Sequence, residues 1–151
     1  MNRRMGLLVL VAGALVVTVA APASAAPSHV CETSGDFCLG APSLVIDAPV
    51  RATVSGRDVV LRGVGNNQVE IILSADTSEC VAAANNRMDV VLHHCDGGLG
   101  TVWIKHNLIA PFKYESREFP GWYLAGRNVQ GSQFQLKQDP TGGWLLRFDV
   151  S

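Results

Sequence analysis

Past residue 26 the sequence has no stretch in which apolar residues recur at helical spacing, which excludes a helical bundle. Charge is scarce too, at 17% of residues, and twelve Lys and Arg face thirteen Asp and Glu. Without a basic surplus, neither nucleic acid nor an anionic membrane is expected as a partner. Missing as well are Gly-x-Ser-x-Gly, His-Glu-x-x-His and any phosphate-cradling glycine loop, so no catalytic role and no cofactor are expected. The cysteine gaps, seven residues from Cys31 to Cys38 and fifteen from Cys80 to Cys95, match no common zinc spacing, and no metal is expected.

The first residues carry a different message. Arg3 and Arg4 precede a nearly unbroken apolar run, Leu7 to Ala21, followed by Ala23-Ser24-Ala25. That order is a secretory signal with cleavage expected after Ala25; the run is short for a membrane anchor and ends in small residues that suit signal peptidase. Export leaves 126 residues, 26–151, enough for one modest domain, and the formal charge becomes 10 − 13 = −3. All four cysteines lie in this exported part. Outside the cell an even count reads as two disulfides, with three pairings open at this point.

Short β-branched clusters, separated by Gly, Asn, Asp and Pro, fill the exported part: Leu44-Val45-Ile46, Val59-Val60-Leu61, Val69 to Leu73, Val90-Val91-Leu92, Val102-Trp103-Ile104, Phe134-Gln135-Leu136 and Trp144-Leu145-Leu146. The fold class is therefore all-β. Three segments fall into register, Cys38-Leu39-Gly40-Ala41, Cys80-Val81-Ala82-Ala83 and Tyr123-Leu124-Ala125-Gly126, with starts 42 and 43 residues apart. Each is preceded by a strand and a polar turn, and followed by clusters near Val50, Val90 and Phe134 and then near Val60, Trp103 and Trp144. Four strands per repeat make twelve in all. Units of this length cannot bury an apolar face alone, so three should close around one axis as a six-strand barrel capped by three hairpins, a β-trefoil. About ten residues around Pro49 to Ser55 read as extra length in the first repeat.

The stretch from Cys80-Val81-Ala82 through Val90 to Cys95 and on to Thr101-Val102-Trp103 resembles one subdomain of the ricin-B-like β-trefoils. The resemblance implies a bridge from Cys80 to Cys95; Cys38 has Thr53 at the equivalent position, which leaves Cys31 with Cys38. It also implies where a sugar would sit. The family's aspartate and glutamine positions are, however, Gly40, Ala82 and Ala125, and Asp58, Thr101 and Gly142. Trp103 and Trp144 are then expected in the core.

Two binding functions follow as expectations. The first is a monomeric protein-binding trefoil resembling inhibitors of secreted peptidases, with candidate loops Gly63 to Asn67, Asn107 to Pro111 and Ser116 to Trp122. Within the second loop Leu108, Ile109 and Ala110 form an apolar run before proline. The alternative is carbohydrate binding through an atypical site made of Trp122, Tyr123, Asn85 and Asn86. Glu115 and Glu118 flank a turn and are read as surface charge, and His93 and His94, adjacent on a strand, should face opposite sides.

Overall fold

The computed structural model describes residues 29–32, 37–73, 78–107, 112–127, 129–138 and 146–149. The expected signal segment, the Leu108–Ala110 run and Trp144 lie outside the described residues. Every regular element among the described residues is a strand: β1 His29–Glu32, β2 Cys38–Gly40, β3 Arg51–Thr53, β4 Val59–Gly65, β5 Gln68–Leu73, β6 Glu79–Ala83, β7 Val90–His94, β8 Val102–His106, β9 Lys113–Ser116, β10 Trp122–Ala125, β11 Gln135–Gln138 and β12 Leu146–Asp149. Among these residues there is no helix long and apolar enough to cross a membrane.

All pairings are antiparallel. β1 joins β12, β4 joins β5, β5 joins β8, and β8 joins β9. The cap is made by the hairpins β2–β3, β6–β7 and β10–β11. The chain is thus an all-β trefoil of twelve short strands, built on the repeat register of the sequence.

Threefold closure is visible in the backbone itself. Val50 N–H donates to Val90 O (3.0 Å), Val90 N–H to Phe134 O (3.2 Å), and Phe134 N–H to Val50 O (2.8 Å). This ring satisfies three buried donors by passing one hydrogen bond from each repeat to another, and the three side chains are fully buried beside it. Around them pack Leu39, Val81, Leu92, Trp103, Tyr114 and Leu124, the inward positions of the alternating strands. Trp103 is fully buried and donates its indole N–H to Val81 O at 2.8 Å, so it is a core plug as expected.

Two details of the sequence reading are corrected. Leu44-Val45-Ile46 is a turn and not a strand: Asp47 adopts φ 65°, and Val45 and Ile46 are 58% and 41% exposed. The segment lacks a pairing partner because Asp47 N–H is taken by Leu92 O (2.8 Å), pinning the turn onto β7. The first repeat also carries no ten-residue addition at Pro49 to Ser55, since Arg51–Thr53 is β3 and pairs with β2. Its hairpin loop of ten residues (41–50) is close to the nine (126–134) of the third repeat, and it is the second that is short, with six (84–89).

Both expected disulfides are formed, Cys31–Cys38 across β1 and β2, and Cys80–Cys95 from β6 to the segment after β7.

Tyr114 yields a prediction about alkaline stability. Burial pushes its phenol well above the ordinary value, which keeps the ring neutral in the fold. An unfolded tyrosine ionises near pH 10, so this contribution is intact below about pH 10 and falls by about 1.4 kcal/mol per pH unit above it. Urea titrations of wild type and Tyr114→Phe at successive pH values should therefore converge on different slopes, the variant losing less stability above pH 10. Parallel slopes would refute the assignment.

Candidate functional site

The second repeat carries a cleft of about 330 Å³, lined by Asp47, Ala82, Ala83, Ala84, Asn85, Val91, His93, Asp96, Gly98, Gly100, Thr101 and Glu118. Its floor is small by composition, as Ala82, Ala83, Gly98 and Gly100 leave volume that larger side chains would fill. At Gly100 a Cβ would stand 2.8 Å from Glu118 Oε2, so a larger residue would shift that flexible carboxylate. Ala83 N–H donates to Gly100 O at 2.9 Å, which stitches the 95–101 segment to the β6–β7 hairpin.

Polar groups from all three repeats meet over this floor. Asp47 comes from the first hairpin loop, held by its turn on β7. Asp96 and Thr101 come from the β7–β8 segment, His93 from β7, and Glu118 from the turn between β9 and β10. Asp96 Oδ1 accepts from Gly98 N–H (2.7 Å), and that backbone hydrogen bond, against an opposing cost of burial, holds the Asp96 carboxyl below its ordinary value, with its own backbone amide, His93 and Thr101 adding lesser contributions. The Thr101 hydroxyl has Gly98 O, Glu70 Oε1 and Asp96 Oδ1 within 3.4 Å as acceptors for its single proton. Among the described residues neither Lys nor Arg lines the cleft.

Behind the wall lies a group that spacing did not single out. Glu70 on β5 is 1% exposed, yet both carboxylate oxygens are occupied. Oε1 accepts from Gly97 N–H (2.9 Å) and the Thr101 hydroxyl (3.2 Å); Oε2 accepts from Arg62 Nε (2.7 Å) and from the Arg62 terminal nitrogen.

The residues expected at an atypical sugar site do not converge on one place. Asn85 lines the cleft. Asn86 is consumed by its own turn, accepting from Met88 N–H (2.9 Å) and Asp89 N–H (3.0 Å) and donating to Asp89 Oδ2 (2.6 Å). Half-buried Trp122 packs on the core and, with Arg87, Phe119 and Pro120, lines a smaller depression that shares Glu118 with the cleft. Tyr123 stands apart, its ring edge-on to His106 at 5.9 Å and beneath the Lys113 ammonium at 5.7 Å.

Glu115 on β9 and Glu118 in the β9–β10 turn, like the adjacent histidines of β7, have separate surroundings. Glu115 accepts from Gly121 N–H (2.7 Å) and meets His106 Nε2 at 2.5 Å, while Glu118 faces the cleft. His93 lines the cleft, whereas His94 lies 3.5 Å from Glu79. Ala82 and Thr101, where the ricin-B-like register would place aspartate and glutamine, both line the cleft, so the register located it. Asp47 and Glu118 belong to other repeats and carry no local signal.

Comparison with known proteins adds the fold alone. No family model matches the chain, and no curated protein matches it in sequence. Among solved structures it is similar to ThreeFoil, a designed threefold symmetric protein, with a TM-score of 0.73 at 15% identity over 83% of this chain and 99% of that one. A mosquitocidal holotoxin gives 0.73 at 9% identity, over 83% of this chain but only 17% of the toxin. A gallus interleukin-1 beta mutant gives 0.59 at 12% identity, over 82% and 95%.

Proposed function

We propose that the chain is an exported, non-catalytic binding protein that holds a neutral or amine-bearing sugar unit in the second-repeat cleft. The observation that carries this reading is the cleft itself: a concavity of about 330 Å³ with a small floor and Asp47, Asp96, Thr101, Asn85 and Glu118 around it. That volume is at the lower end for small-molecule sites and suits one or two sugar rings. Carboxylates accept strong hydrogen bonds from paired hydroxyls, and a rim carrying Asp47, Asp96 and Glu118 disfavours acidic sugars. Trp122, across Glu118, offers an aromatic face for a second ring. Export is supported by the signal-like N-terminus together with the two disulfides.

The inhibitor-like reading draws less support. Its loop Gly63 to Asn67 is a tight hairpin with Asn66 at φ 31° and Asn67 at φ 60°, unlike the extended backbone of a peptidase substrate, and Leu108, Ile109 and Ala110 lie outside the described residues.

A glycan array followed by calorimetry tests the proposal. Binding to neutral or amino sugars and little to uronates is expected, with Asp96→Asn weakening it about tenfold through loss of a charged acceptor. An array with no signal, together with a secreted peptidase slowed by micromolar protein, would move the assignment to the inhibitor class.

A further inference from the structure

We propose that Glu70, held by Arg62, is the positioning residue of the cleft, fixing the 95–101 segment through Gly97 and the buried Thr101 so that Asp96 faces a ligand. For its ligand arm this rests on the binding function proposed above; for its geometry it does not.

The chemistry of the position is the first reason. Glu70 lies in the run Val69 to Leu73, where every other residue is apolar, and a buried carboxylate costs several kcal/mol unless charge and hydrogen bonds offset it. An apolar side chain would cover the same strand face without that cost. What Glu70 supplies instead is two acceptor atoms with different tasks. Oε2 is neutralised by Arg62, which stands directly across the β4–β5 ladder, so the sheet brings the pair together. Oε1 is then free to hold Gly97 N–H and the Thr101 hydroxyl.

The second reason is what these contacts restrain. Between Cys95 and Thr101 the chain has three glycines, Gly97, Gly98 and Gly100, no strand pairing, and Gly97 at φ 73°. Such a segment has high conformational entropy and needs pins. The disulfide fixes its start at Cys95 and β8 takes over after Thr101. Arg62 adds a hydrogen bond to Cys95 O (3.3 Å), so the Glu70–Arg62 pair touches the segment at residues 95, 97 and 101. Asp96 lies between two of those pins and Gly98, which hydrogen-bonds Asp96, follows the second.

The test uses the full exported chain and Glu70→Gln, which keeps size and removes charge. Amide exchange at Gly97 should accelerate at least tenfold while core amides such as Val50 and Phe134 keep their rates. The Asp96 carboxyl, followed by carbon NMR, should titrate closer to its ordinary value. Affinity for the probes used, glucosamine and N-acetylglucosamine disaccharides, should fall about tenfold or more. Should Glu70→Gln fail to fold, Arg62→Lys at the exposed partner decides, with smaller shifts in the same direction expected at Gly97 and Asp96. Unchanged Gly97 exchange and Asp96 titration in a folded variant overturn the proposal. Changes in both, with a wild type that binds neither disaccharide, sustain the positioning role and refute the sugar reading instead.

Discussion

Replacing Trp103 by alanine is expected to destabilise the fold by about 3–5 kcal/mol, the range for truncating a buried aromatic. Trp103 is fully enclosed, so its removal leaves a cavity that neighbouring strands, tied by backbone ladders to β5 and β9, cannot collapse into. It also strips the partner from Val81 O on β6. Against a typical domain stability of about 5–15 kcal/mol this loss is a large share, and the thermal midpoint should drop by on the order of 10–20 °C. Trp103→Phe should retain most of the packing and lose chiefly the indole hydrogen bond, for a cost of about 1–2 kcal/mol. Thermal and urea unfolding of both variants check this. Near-equal losses would mean that the hydrogen bond and not the ring volume dominates at this site.

The second large effect belongs to the Cys80–Cys95 bridge. It spans fifteen residues, and removing such a cross-link costs about 3 kcal/mol in the chain-entropy relation, whereas the seven-residue span of Cys31–Cys38 gives about 2.4 kcal/mol. Cys80→Ala with Cys95→Ala should therefore lower the midpoint of urea unfolding more than Cys31→Ala with Cys38→Ala. A functional difference should accompany the thermodynamic one. Asp96 follows Cys95 directly, and the bridge is one of the fixed ends of the segment that lines the cleft, so ligand affinity should fall only in the Cys80 and Cys95 variant. Loss of affinity from both double variants alike would show that cleft geometry depends on global stability and not on this local anchor.

The sequence made the strand order readable because alternation and turn residues act locally. The spacing of Cys38, Cys80 and Tyr123 gave the repeat, and Val50, Val90 and Phe134, the marked cluster starts, are the residues whose backbones close the threefold ring. Local reading failed at Leu44-Val45-Ile46, where β-branched content implied a strand and the pinning of Asp47 to Leu92 imposed a turn. It also grouped Asn85 with Asn86, although one faces the cleft and the other caps its own turn.

By itself, then, the sequence determined twelve strands in three repeats and, through family resemblance, the two cysteine pairs. The register marked the cleft at Ala82 and Thr101, but its acidic rim was decided only by the tertiary structure. Asp47 and Glu118 lie 49 residues before and 22 residues after Asp96, and no periodicity relates them. They become neighbours because closure around the threefold axis sets a loop of each repeat beside the next. Glu70 follows the same logic: in the sequence it is one acid in an apolar strand, and only the packed fold supplies the arginine, the amide and the hydroxyl that make a buried carboxylate tenable.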